Sequence, residues 1–393
     1  MASQNAERAI ADAINHGCAL LKFISPNDVG RTGGHQCGFY LPKAVWKQFT
    51  PHPPTKGTNQ KSWPKVTWQD DRVTNSCVTW YGNGTRSEYR LTGFGRDFPF
   101  LSADRVGDLL ILIPRSYDEF IAYVLATDDD IAAVQAGLRV ESDVGAIRTW
   151  MMFDGTAVPA PEAADACIDR HFNAFQAGLR DFPPTIQFSD AARHALIECV
   201  KQFVRLSPDD QLLKCIDTEY ELFKRVEWQL CHGLISRPFG SLEDFLATAL
   251  SVSNRRKARA GKSLEHHIEH ILREERIPFA SRPSEVDGEP DILIPSVKAY
   301  LDPKFPIDRL CMIGVKTTCK DRWRQVLNEA KRMRSRHIMT LQPGISSSQL
   351  EEMRKAGISL IVPKPLHKNY PRGRTIQIYG VAEFIKVAHS LVK

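Results

Sequence analysis

The stretch PDILIPS (290–296), followed by RLCMIGVK (309–316), reads as two short apolar strands. Each carries an ionisable side chain at an end: Asp291 stands directly behind a proline, and Lys316 closes the second run. Short apolar runs bounded by turn residues are how strands covered on both faces read, and neighbouring strands of one sheet can bring two such ends together. Upstream, Leu264, Ile268, Ile271 and Leu272 share one helical face and predict an amphipathic helix over about 263–275. Downstream, the pattern predicts a helix over about 321–335, a strand at HIMTL (337–341), a helix over 346–356 closed by Gly357, and a strand at ISLIVP (358–363). The order α, β, β, α, β, α, β implies a mixed sheet flanked by helices, a class of fold whose sites lie at strand ends.

The chain has 393 residues, 42% apolar and 25% charged, which excludes disordered and collagen-like classes and fits two or three globular domains. Apolar runs such as Leu109–Pro114 are far too short to span a bilayer, and Glu7, Arg8 and Asp12 interrupt any secretory apolar core. No membrane partner is expected, and the expected location is the bacterial cytoplasm. Nine scattered cysteines without a C-x-x-C pair suggest reduced, packed thiols.

Net charge is only +6, but it is concentrated. NRRKARAGK (254–262) carries five basic residues and no acidic one, and residues 316–336 carry eight against Asp321 and Glu329. Such stripes suit a polyanion, because each phosphate contact releases condensed counterions; a solvated helix face is the alternative.

Residues 1–155 open with one helix and then turn β-rich, with strand candidates at 66–68, 78–81, 88–92 and 109–113; this reads as a small barrel or sandwich. TAVPAPEAADA (156–166) and Pro183–Pro184 mark a linker over 156–185, leaving 186–393 as the second domain.

Phosphodiester hydrolysis needs a hard cation with carboxylate ligands and open positions. Asp291 is the natural first ligand, and Lys316 can stabilise developing charge or orient the attacking water. A second carboxylate belongs two residues before the lysine, where Gly314 stands. Glu329, thirteen residues after Lys316 on the following helix, and Glu265, on the preceding one, are both candidates to replace it. AGKS (260–263) is no phosphate-binding loop, since Arg256 occupies the position that needs glycine, so no nucleotide cofactor is expected. His266 and His270 lack the glutamate of a zinc-protease helix, because His267 stands there.

SVSNRRKARAGKSLEHHIEH (251–270), PDILIPS and VKTTCKDRWRQVLNEA (315–330) resemble the nuclease domain of the EcoRII restriction endonuclease family; NDVGRTGGHQCGFYLP (27–42) and TRSEYRLTGFGR (85–96) resemble its N-terminal effector domain. The resemblance implies a PD-(D/E)XK nuclease with a displaced acidic residue behind an effector DNA-binding pseudobarrel. It assigns catalysis to Asp291, Lys316, Glu329 and Glu265, with Tyr300 nearby, and metal ligation of Mg2+ to Asp291 and Glu329. It assigns base reading to Lys320, Asp321 and Arg322, and DNA contact to Arg256. In the effector domain it points to His35 and Tyr40 on one arm and Arg86, Glu88 and Arg90 on the other. Gly84 and Tyr89 stand where that family carries basic side chains. By the same resemblance, a homodimer cuts double-stranded DNA at CCWGG or a close relative, leaving 5′ overhangs and flipping the central base pair. A second copy of the site activates it through the effector domain. The competing reading is a non-catalytic DNA-binding regulator with a degenerate nuclease fold, which Gly314 would favour.

Overall fold

Ile292–Ile294 and Cys311–Val315 pair antiparallel with Ile292 opposite Ile313. The structure is a computed structural model that describes residues 2–30, 37–84, 87–140, 150–155, 166–333, 336–371 and 376–392. From Cys311–Val315 the sheet continues in parallel through Arg336–Met339, Ile358–Ile361 and Ile378–Tyr379, while Ala280–Ser281 forms the other edge. Every residue of Ile292–Ile294 and Cys311–Val315 is buried, which is why neither run alternates in polarity. Leu264, Ile268 and Leu272, with Phe384 and Ile385 of the helix Val381–Val392, join the core built on this sheet.

The amphipathic stretch expected over 263–275 is the last part of a longer helix, Leu242–Glu274. Ser241 caps its start, the hydroxyl accepting from Asp244 N at 3.1 Å. Its first turns leave Leu242, Phe245, Leu246 and Leu250 exposed, so the buried face that makes a helix legible begins only later. The helix expected over 321–335 is a correction: the segment is a short 3-10 helix, Arg322–Asn328, after which Glu329 is extended and Ala330 takes a positive φ of 44°. Hydrogen bonds to the loop at Asp287, described below, pull the chain out of the helix there.

The N-terminal half contains two sheets. One runs in the order Trp150–Asp154, Cys18–Phe23, Leu109–Pro114, Glu119–Leu125, Lys65–Trp68, Val73–Asn75; the other in the order Phe39–Leu41, Glu88–Thr92, Cys77–Tyr81, Asn59–Ser62. Alternation along Leu109–Pro114 sends Leu110 and Leu112 into an aromatic core with Phe39, Trp68 and Phe120, and Leu109, Ile111 and Ile113 toward the helices Gln4–His16 and Asp128–Leu138. Two covered faces explain why this strand reads as one unbroken apolar run.

Within the expected linker, Ala166–Gln176 is helical and packs Phe172 against Phe188, Leu222 and Phe223. The expectation of reduced cysteines also needs correction: Cys167 and Cys199 are joined by a disulfide, while Cys18, Cys37, Cys77, Cys215, Cys231, Cys311 and Cys319 are free thiols. The pairing arises where two helices meet, far apart in sequence, and leaves no spacing signature. No described helix is long and apolar enough to cross a membrane.

Candidate active site

Strand register assembles the first half of the site. With Ile292 opposite Ile313, Asp291 lies at the end of the neighbouring strand, and its Oδ2 accepts from Val315 N and Lys316 Nζ, both at 2.7 Å. Asp291 is 7% exposed, so this carboxylate is paired as a buried charge must be.

The second carboxylate arrives through Gly314. A Cβ there would sit 2.6 Å from Val326 Cγ2, so the bare glycine lets Val326 pack directly onto the strand. The space in which a side chain at 314 would project is thus filled, and the 3-10 segment that fills it delivers Glu329 at its end. Glu329 is buried, and among the described residues its Oε2 has no hydrogen-bond partner. Burial pushes its carboxyl up to about 7; Lys316 opposes that rise and Asp291 adds to it.

Tyr300 acts through another residue. Its hydroxyl donates to Asp287 Oδ1 at 2.6 Å and accepts from Arg332 N at 3.2 Å. Asp287 accepts from Ala330 N at its carbonyl (2.8 Å) and from Lys331 N at Oδ2 (2.7 Å). Gly288, at φ +76°, lies so close that a Cβ would meet Glu329 Cα at 2.7 Å. Tyr300 and Asp287 therefore clamp the turn that carries Glu329.

Glu265 lies on the long helix and takes both arms of Arg282, Nε at 3.0 Å and Nη2 at 2.5 Å, with Lys262 Nζ at 2.8 Å. The same Arg282 Nη2 is 3.3 Å from Asp291 Oδ1, so one guanidinium ties the two carboxylates together. Sequence reading missed Arg282 and Asp287, which sit in an irregular loop with no periodic pattern to single them out.

Lys320, Asp321 and Arg322 all meet the N-terminal half. Lys320 is buried in an ion pair with Asp108. Asp128 N donates to Asp321 Oδ1 at 3.0 Å, and Asp128 Oδ2 accepts from Asp321 N (3.0 Å) and Arg322 N (3.1 Å). Arg322 Nη2 reaches Asp129 Oδ1 at 2.5 Å. Burial and the facing Asp321 push the Asp128 carboxyl up to about 6. Arg256 pairs with Glu227 through Nε (2.7 Å) and Nη2 (3.1 Å), and its Nη1 donates to the carbonyl of Ala136. The helix Asp128–Leu138 thus lies across the cleft between the basic run and the strand ends. A cavity of about 320 Å³ remains there, lined among others by Lys257, Glu265, Arg282, Lys316 and Arg322. The acidic triplet Asp128–Asp130 was overlooked because such residues ordinarily just complement a helix N-terminus.

In the N-terminal half, Tyr40 pairs across strands with Arg90. Arg90 is buried, donating from Nε to Glu88 Oε1 at 3.1 Å and from Nη1 to the Gly38 carbonyl at 3.4 Å. His35 and Arg86 lie outside the described residues.

Residues 13–144 match the family model described as restriction endonuclease EcoRII, N-terminal, and residues 223–385 match the model described as EcoRII C terminal. The type II restriction enzyme EcoRII of Escherichia coli is 33% identical over 383 residues, covering 93% of this chain and 92% of the relative. Among solved structures, metal-depleted Ecl18kI in complex with uncleaved, modified DNA is 17% identical at a TM-score of 0.44, covering 56% of this chain and 83% of that one. A PspGI–substrate DNA complex is 16% identical at a TM-score of 0.46, covering 54% and 93%.

Proposed function

The chain belongs to the EcoRII family of type II restriction enzymes, and from that premise we propose that it makes Mg2+-dependent double-strand breaks at CCWGG or a close relative, with Asp291, Lys316 and Glu329 as the reacting groups. The observation that carries this reading is the buried Oε2 of Glu329, without a hydrogen-bond partner among the described residues, beside the Asp291–Lys316 pair. A buried carboxylate oxygen without a donor is costly unless a cation supplies the missing partner. Asp291 and Glu329 would hold a divalent ion, which supplies charge stabilisation at the phosphate and acidifies a bound water. Lys316 places its Nζ at the strand end, where charge would develop on the phosphoryl oxygens. Arg282 holds Glu265 and Asp291 in place, and the Tyr300–Asp287 clamp positions Glu329. The rival reading of a dead nuclease rests on Gly314; the position of Glu329 beside the Asp291–Lys316 pair supports the active reading instead.

Recognition is read as gated. Lys320, Asp321 and Arg322 offer the donors and acceptor that suit C and G edges, yet each is held by Asp108, Asp128 or Asp129. A duplex cannot use Asp321 and Arg322 while the helix Asp128–Leu138 is docked, nor Lys320 while Asp108 holds it. DNA bound through the effector strands bearing Tyr40, Glu88 and Arg90 would favour the undocked state, giving the need for a second site. Exposed Leu234, Ile235, Leu242, Phe245, Leu246 and Leu250 at adjoining helix ends support a homodimer surface. The overhang polarity and base flipping remain part of the proposal by family membership, as does a cytoplasmic location.

Plasmid cleavage with and without Mg2+ tests the site. Asp291→Ala and Lys316→Ala are expected to abolish cutting while gel-shift binding persists; cutting at the wild-type rate by both would reject the assignment.

A further inference from the structure

Away from the cleft, the helices Ala166–Gln176 and Thr185–Cys199 bring five metal-ligating side chains together. Cys167 and His171 share one face at i, i+4, and His194, Glu198 and Cys199 occupy the last turns of the partner helix. Ligand atoms of Cys167, His171 and Cys199 lie within 4.8 Å of one another, and so do those of His171, His194 and Glu198. One carboxylate receives both imidazoles: Glu198 Oε2 is 3.2 Å from His171 Nε2, and Oε1 is 3.1 Å from His194 Nε2. No other such group of three or more His, Cys, Asp or Glu occurs among the described residues.

We propose that, with Cys167 and Cys199 reduced, this cluster binds one structural Zn2+ through Cys167, His171 and Cys199, with the fourth position filled from the His194–Glu198 pair. Two thiolates and an imidazole are the donor set that borderline-soft Zn2+ takes in closed tetrahedral sites, and it differs from the all-oxygen set that Mg2+ prefers. The disulfide and the zinc site are alternative states of the same two sulfurs. Two small-molecule thiols supply two electrons and two protons, giving Cys167–SH, Cys199–SH and one external disulfide, and metal capture then releases the two thiol protons. In a thiol-rich compartment the reduced state is the expected one. The ion would fasten the helix bearing Phe172 onto the core it shares with Phe188 and Phe223. This inference is independent of the cleavage chemistry.

The full-length protein, reduced with a phosphine, loaded with Zn2+ and desalted into metal-free buffer, is expected to retain about one zinc per chain by mass spectrometric metal analysis. Cys167→Ser and His171→Ala should lose it, whereas Asp291→Ala should keep it. Cobalt substitution should give thiolate charge-transfer absorption. As a readout that needs no variant, zinc should slow alkylation of Cys167 and Cys199 by about tenfold or more in peptide mapping. Absence of retained zinc in the reduced wild type, retention undiminished in Cys167→Ser, or alkylation at an unchanged rate would each overturn the site.

Discussion

Lys316 and Lys320 are near neighbours in sequence, yet different halves of the molecule hold them. At the metal corner, every contact of Asp291, Lys316, Glu265 and Arg282 described above comes from the nuclease half. At the recognition corner, Lys320, Asp321 and Arg322 are held by Asp108, Asp128 and Asp129 of the other half. On the function proposed above, the contrast teaches that the reacting groups are prebuilt and that the reading of DNA is what the contacts of the N-terminal half withhold. An enzyme regulated this way need not rearrange its reacting groups to be switched on.

The largest effect should come from breaking the metal corner. Asp291→Ala or Lys316→Ala is expected to lower the cleavage rate by at least about 10²–10³-fold in a single-turnover assay on a two-site plasmid. Glu329→Gln should fall in the same range; cleavage within a few-fold of wild type would return Glu265 to contention as the second carboxylate. The comparison sharpens if the recognition corner behaves differently: Arg322→Ala should leave the metal corner intact but lose discrimination at C:G pairs by about 1–3 kcal/mol, measured by competition between cognate and single-substituted duplexes. Uniform weakening on every sequence would make Arg322 a phosphate contact.

A smaller effect concerns packing beneath the site. Gly314→Ala places a methyl group against Val326 and should destabilise the protein by about 1–3 kcal/mol in denaturant unfolding, with Gly314→Ala/Val326→Ala recovering part of the loss. Equal stability of the single variant would mean that the glycine does not admit Val326 as described.

The smallest expected effect is in pH. Asp128 faces Asp321, Arg322 and Cys319, and burial, with the facing Asp321, raises its carboxyl from the ordinary carboxylate range to about 6 in the docked state. A raised carboxyl contributes docking stability that is fully present below its undocked pKa and is lost as pH rises through about 6. The Asp321 carboxyl is lowered, so its contribution fades only at more acidic pH. Amide exchange at residues 320–322, corrected for intrinsic rates, should therefore increase between pH 5 and pH 7, and Asp128→Asn should flatten the change. A flat wild-type profile would remove Asp128 as the titrating group.

Much of the fold is legible in the sequence. The apolar runs at 290–296 and 309–316 gave the strands and, through their charged ends, Asp291 and Lys316, because a doubly covered strand has a plain pattern. Glu329 stood out as a candidate by its spacing from Lys316, but its expected helix is a short 3-10 segment, since the loop at Asp287 competes for the backbone donors that a helix would have used. Arg282, Asp287 and the docking acids were invisible for one shared reason: their roles depend on partners distant in sequence, and their local pattern is that of ordinary loop and helix-cap residues. The Cys167–Cys199 pairing escaped for the same reason.

The central claim, a finished metal corner behind a withheld recognition corner, is tested most directly by single-site plasmid cleavage with the full-length Asp128→Ala/Asp129→Ala variant. The account predicts that the variant cuts a one-site plasmid about ten times faster or more than wild type, with little change on a two-site plasmid. A variant that is folded and binds DNA but remains as slow as wild type on one site would contradict it.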